Sequence, residues 1–155
     1  MYSKILVPID DFGSAGLALE NAAKIAKSTG AQIVLFHVVS DVNPLVISDE
    51  HVGGVHAAAS VVERARQDET VHLAEQEEKL RRLAERIGDD GVSTSAEATI
   101  GNPHNEIVRA VETFGADLVI ISTHARRGVS RAILGSVADE VVRDVDVPVM
   151  IVRRS

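Results

Sequence analysis

The stretch STHARRGVSRAILGS, residues 122–136, leaves an apolar run, passes through arginines and small residues, and ends on a Gly-Ser pair ahead of a helical pattern. Gly135 permits close approach of a ligand to the backbone, Ser136 offers a hydroxyl, and the first turn of a helix aims N–H groups and a positive dipole end at an anion. That chemistry is phosphate binding. The same residues carry a second reading, because Ser136 followed by Asp139 has the spacing of an N-terminal cap and Gly135 could serve only a tight turn. Local sequence leaves the two level. Neither a GxxxxGK[ST] loop nor a GxGxxG after the first strand is present, so P-loop and ordinary dinucleotide sites are unsupported.

Other chemistries fare worse. His124 stands near Ser122 and Ser130, but GVSRA at residues 128–132 matches only half of a GxSxG elbow and does not lie on a strand-to-helix turn. His51 and His56, with Asp49 and Glu50, fit no strong metal-ligand spacing and read as surface histidines. The chain has no cysteine, which removes disulfides, thiolate zinc sites and cysteine nucleophiles.

The elements that must position these groups follow from composition and periodicity. A length of 155 residues suits one domain over 1–155, and 45% hydrophobic residues with only 3% aromatic imply a core of Val, Ile, Leu and Ala, as in helices packed on a parallel sheet. The net charge of -7 disfavours nucleic-acid and anionic-membrane partners. Its distribution is uneven: residues 41–97 hold 13 acids against 6 bases, whereas 122–155 hold 4 acids against 6 arginines, so a small anion is tolerated near the C-terminus. Without a signal pattern or a membrane-length apolar run, a cytoplasmic soluble protein is expected.

Residues 4–9 (KILVPI) read as a strand, followed by turn residues 10–14. From Ala15 helical spacing places Leu19, Ala22, Ala23 and Ala26 on one face, with Gly30 as terminator. Residues 31–39 form a continuously apolar second strand. Periodicity fails over 40–59, which reads as a mobile surface connection in preference to a lid. A long amphipathic helix is expected over 60–87, with Val71, Ala74, Leu80, Leu83, Ala84 and Ile87 as its apolar stripe. Residues 92–100 are a more polar strand suited to a sheet edge. A helix over 104–114 ended by Gly115, a buried strand over 116–122, a helix over 136–145 and a strand over 147–152 complete the order. This alternation with right-handed crossovers predicts an α/β fold, an open five-stranded parallel sheet with helices on both faces, whose ligands bind beyond the carboxyl ends of the strands.

ILVPIDDFGSAGLAL at residues 5–19, GNPHNEIVRAV at 101–111 and DLVIISTHARRGVSRAILGSVADEVVRDVDVPVMIV at 117–152 together resemble the universal stress protein, or UspA-like, family in a single-domain form. The resemblance spans nearly the whole chain except the 40–59 connection. It implies a Rossmann-like, adenine-nucleotide-binding type of sheet, antiparallel homodimer pairing through the last strand, and in one subgroup binding of ATP, AMP or another adenine nucleotide, with magnesium. The nucleotide-binding signature of that subgroup is Gly, two residues, Gly, nine residues, then Gly and Ser or Thr. Here Gly135 and Ser136 match it, while Ser122 and Ala125 stand at the first two glycine positions with the spacing kept.

Carried over residue by residue, the resemblance sets Pro8, Ile9 and Asp10 against the adenosine, with the Asp10 carboxylate accepting hydrogen bonds from ribose or base. It gives the main chain of Val38 to the adenine edge. His124 and Ala125 would lie by the phosphates, Gly135, Ser136 and Val137 would donate to them, and Arg126 would add charge at the rim. No catalytic residue or metal ligand is implied. The leading expectation is a stress-response regulatory protein with an unknown protein partner; the alternatives are a partner-binding or chaperone-like dimer with a degenerate phosphate loop and, third, a slow ATPase. The last strand favours pairing on physical grounds too, since its edge carries unsatisfied backbone groups beside apolar Val149 and Ile151.

Overall fold

The computed structural model describes residues 1–13, 15–41, 55–124 and 135–154. Five strands and four helices alternate: β1 (Lys4–Pro8), α1 (Gly16–Thr29), β2 (Gln32–Ser40), α2 (Val55–Gly88), β3 (Thr94–Gly101), α3 (Pro103–Phe114), β4 (Leu118–His124), α4 (Ser136–Asp144) and β5 (Val149–Arg154). The strands form one sheet in the order β3-β2-β1-β4-β5, and every neighbouring pair is parallel. β3 lies at an edge, as its polarity predicts.

Each face of the sheet carries one pair of helices. On one face Ala18, Ala22 and Ala26 of α1 and Leu80, Leu83 and Ala84 of α2 pack with Ile5, Val7, Ile33 and Leu35. On the other, Ile107, Ala110 and Val111 of α3 and Val141 of α4 pack with Leu6, Val34, Phe36 and Val119. Alternate residues of β1 and β2 therefore serve opposite cores, which is why both strands read as unbroken apolar runs.

Local chemistry sets the helix ends. Gly30 and Gly115 take left-handed conformations, φ 76° and 63°, where a Cβ is disfavoured, and their N–H groups bond back to Ala26 and to Glu112 and Val111. Asn102 caps α3 by accepting the Asn105 N–H at 3.1 Å, with Pro103 in the first turn.

The long helix differs from its expected form in extent and in phase. α2 starts at Val55 instead of residue 60, and Val71 is 60% exposed although it was expected in the apolar stripe. At about 100° per residue Val71 sits on the side opposite Leu80, whereas Gln76 lies within about 40° of it and is buried. Ala74 is likewise exposed. Among the described residues no helix is long and apolar enough to cross a membrane.

Asp117 fastens the chain start to β4. Its carboxylate accepts the Ser3 N–H at 2.8 Å, the Ser3 hydroxyl at 2.7 Å and the Lys4 N–H at 2.9 Å. Burial pushes this carboxyl up, but the hydrogen bonds from Lys4 and Ser3 together outweigh it and hold the pKa below the ordinary value. A carboxylate with a lowered folded pKa contributes its stability in full above the unfolded value and loses it as pH falls through the folded one. Asp117→Asn is therefore expected to cost about 1 kcal/mol at neutral pH. Denaturant melts should show the gap to the parent closing as pH falls below about 4.

Candidate functional site

The strand order reverses between β1 and β4, so their connections leave the sheet toward opposite faces and open a crevice at the carboxyl ends. A cleft of about 570 Å³ occupies it. Phe36 and Val38 of β2 and Ile121 and Thr123 of β4 line its sheet side, and Pro103 and Ile107 bring in the start of α3. Residues 135–138 bring in the first turn of α4.

Of the residues expected from the sequence, Pro8, Ile9, Asp10, Val38, Ser122, Gly135, Ser136 and Val137 all line this cleft. They come from four separate segments. His124 is the last residue of β4, paired in register with Arg154. Ala125 and Arg126 lie outside the described residues, as do Ser14, Asp49, Glu50, His51 and Ser130 and most of the 40–59 connection. Ser122 belongs to β4, whose extended backbone accepts a Cβ, so a glycine is not required there for conformation.

One expectation is corrected. Ser136 is the first residue of α4 and not its cap; Gly135 holds the cap position with φ -50° and ψ 153°, and among the described residues no side chain caps the helix. The Asp139 carboxylate is taken by Arg143 one turn on, at 2.5 Å. The first intrahelical bond runs from the Asp139 N–H to the Gly135 carbonyl, and among the described residues no side chain accepts from the N–H groups of residues 136–138. Among the described residues α3 has such a cap and α4 does not, and it is the first turn of α4 that lines the cleft.

Electrostatically the cleft holds two features. Asp10 is the only ionisable side chain among its described lining residues, and it stands at the end of β1. One of its carboxylate oxygens accepts the Asp11 N–H at 2.7 Å, and Asp11 in turn accepts from the Gly13 N–H at 3.0 Å. These Asx-type bonds shape the turn. The first turn of α4, the positive end of that helix, lines the same cleft. A ligand carrying both hydrogen-bond donors and an anionic group matches these two features.

Sequence reasoning missed Phe36, Ser40, Pro103, Ile107, Ile121, Thr123 and Ala138, which also line the cleft. Strand alternation held the signal for two of them: Ile121 and Thr123 fall on the same face of β4 as Val119, two and four residues before. Among the described residues no three His, Cys, Asp or Glu side chains gather as a metal site.

A protein-family model described as the universal stress protein family matches residues 1–153. The chain is 26% identical over 161 residues to universal stress protein MJ0577 of Methanocaldococcus jannaschii, covering 99% of this chain and 96% of the relative. The solved structure of MJ0577 superimposes with a TM-score of 0.77, covering 100% of this chain and 98% of that one. Two further structures share the fold. The universal stress protein from Archaeoglobus fulgidus in complex with dAMP is 19% identical with a TM-score of 0.62, over 97% of each chain. A universal stress protein in complex with cAMP is 19% identical with a TM-score of 0.58, over 99% of this chain and 98% of the other.

Proposed function

The chain belongs to the universal stress protein family, and on that premise we propose that it is a stress-response regulatory protein that binds an adenine nucleotide, ATP or AMP, in the cleft between β1, β4 and α4. The observation that carries the reading is the first turn of α4, which no described side chain caps and which lines one cleft together with Asp10. Phosphates take the N–H groups of residues 136–138, and the nucleoside end lies toward Asp10 and Val38, where hydroxyl or amino hydrogens meet the carboxylate. Magnesium accompanies ATP. The occurrence of dAMP and cAMP in other proteins of this fold supports the class of ligand.

Occupancy, not turnover, is the working event. Asp10 is the only ionisable side chain among the described lining residues and it accepts the Asp11 N–H, so no second described side chain offers a general base beside a γ-phosphate. Hydrolysis of ATP is expected to be slow, with ADP accumulating over hours. The setting proposed is the cytoplasm, and a regulatory protein partner reads the occupied state.

The same proposal includes a homodimer. β5 is an edge strand with Met150 37% exposed, and Val142 of α4 is 39% exposed. Antiparallel pairing of two β5 edges would satisfy their backbone groups and cover such apolar surface. Sedimentation at micromolar concentration is expected to give a dimer, and a monomer there removes this part of the proposal.

Calorimetric titration of nucleotide-free protein with ATP and AMP tests the central claim. Binding in the micromolar range is expected. Absence of heat and of thermal stabilisation at millimolar nucleotide would favour a partner-binding dimer, for which Ser122 and Ala125 in place of glycines are the specific grounds.

A further inference from the structure

His37 is a buried histidine of β2, 8% exposed, with Nδ1 2.6 Å from the Ile9 carbonyl oxygen. A carbonyl has no hydrogen to give, so the ring nitrogen carries the proton and donates it. The main chain around this bond breaks the usual pattern. β1 and β2 are parallel with Pro8 opposite Phe36, and the Ile9 N–H donates to the Phe36 carbonyl at 2.8 Å. In a continuing parallel ladder the next bond runs from the Val38 N–H to the Ile9 carbonyl. Among the described residues no main-chain bond from Val38 reaches that carbonyl; the imidazole has taken it.

The ring is braced from the sheet face opposite the cleft. Phe12 packs against it with centroids 5.5 Å apart at 42°, and the Lys79 ammonium stands 5.9 Å from the centre of the Phe12 ring. The brace links α2, the turn after β1 and the end of β2. Val38, the next residue, lines the cleft on the other face.

We infer that His37 is a positioning residue of the cleft: by occupying the Ile9 carbonyl it ends the β1–β2 ladder one bond early and leaves the Val38 N–H as a donor open to a purine ring nitrogen. A partly buried N–H with no acceptor among the described residues is a favourable place for a ligand acceptor. The ligand named here rests on the nucleotide reading of the preceding subsection, whereas the role of the imidazole bond does not.

Amide hydrogen exchange on the ligand-free protein, followed by titration with AMP, tests it. The Val38 amide is expected to exchange much faster than its strand neighbours Leu35 and Phe36. In His37→Leu the Ile9 carbonyl has to find another donor, so the Val38 amide gains protection and AMP binds about fivefold to tenfold more weakly. His37→Asn, which sets an amide nitrogen where Nδ1 stood, keeps fast exchange and binds AMP within about twofold of the parent. A Val38 amide already protected in the parent overturns the inference even if the leucine variant fails to fold, and so does a folded His37→Leu whose exchange and AMP affinity both match the parent. A parent that binds no AMP but shows the expected exchange pattern removes the nucleotide reading and upholds the role of His37.

Discussion

Gly135→Asp is expected to abolish nucleotide binding while making the folded protein more stable. The two effects have opposite signs because one set of N–H groups serves both. Gly135 caps α4 with φ -50° and ψ 153°, a conformation open to any residue, and a Cβ built there meets no atom within 4 Å. An aspartate at this position accepts from the first turn and complements the dipole, for a gain of about 0.5–1 kcal/mol. The same carboxylate occupies the donors that phosphates need and repels their charge. Losing two or more charge-assisted hydrogen bonds weakens ATP about 100-fold or more. Gly135→Val should lose binding as well but without the gain in stability, since valine is a poor cap. Calorimetry paired with thermal melts reads both quantities. Undiminished ATP affinity in the aspartate variant would place the phosphates elsewhere.

Leu80→Ala is expected to cost about 3 kcal/mol, whereas Val71→Ala on the same helix should change stability by less than about 0.5 kcal/mol. Leu80 is fully buried between α2 and the sheet, in the cluster with Ile33, Leu35 and Leu83. Removing its isobutyl group leaves a cavity that the rigid strands of a parallel sheet close poorly. At this chain length the loss corresponds to a fall in Tm of roughly 6–12 °C. Val71 projects from the opposite side of the helix at 60% exposure and has no core contact to lose. Comparable destabilisation by the two substitutions would mean that the phase of α2 on the sheet is wrong. That phase also carries Lys79 toward Phe12, so the pair of variants bears on the brace behind His37.

The reading of α2 shows where sequence patterning stops. Six apolar residues at irregular spacing, Val71 to Ile87, leave more than one helical face available. The sheet selects the face holding Leu80, Leu83 and Ala84, and buries the polar Gln76 because it lies in phase with them. A hydrophobicity pattern alone assigns Gln76 to solvent. The cap of α4 was misplaced by one residue for a similar reason: Ser136 has the right chemistry, but the backbone turn occurs at Gly135, and a one-residue shift is decided by how the chain reaches the sheet.

By itself the sequence determined the alternation of strands and helices, the doubly covered parallel sheet and the ends of α1 and α3 at Gly30 and Gly115, because these depend on periodicities and backbone preferences within a few residues. It also placed Pro8, Ile9, Asp10, Val38, Ser122 and residues 135–137 in one group, on the strength of a family pattern. Only the tertiary structure decided that no described side chain caps α4 where it lines the cleft with Asp10 and that Thr123, Phe36 and Ile107 share that cleft. It alone set the His37 imidazole in place of a ladder bond. Those facts rest on the order of the strands and the register of β1 against β2 and β4, which join residues as many as 130 positions apart, such as Pro8 and Ala138. Contacts at that separation are settled when the sheet closes, and no local pattern of side chains encodes them.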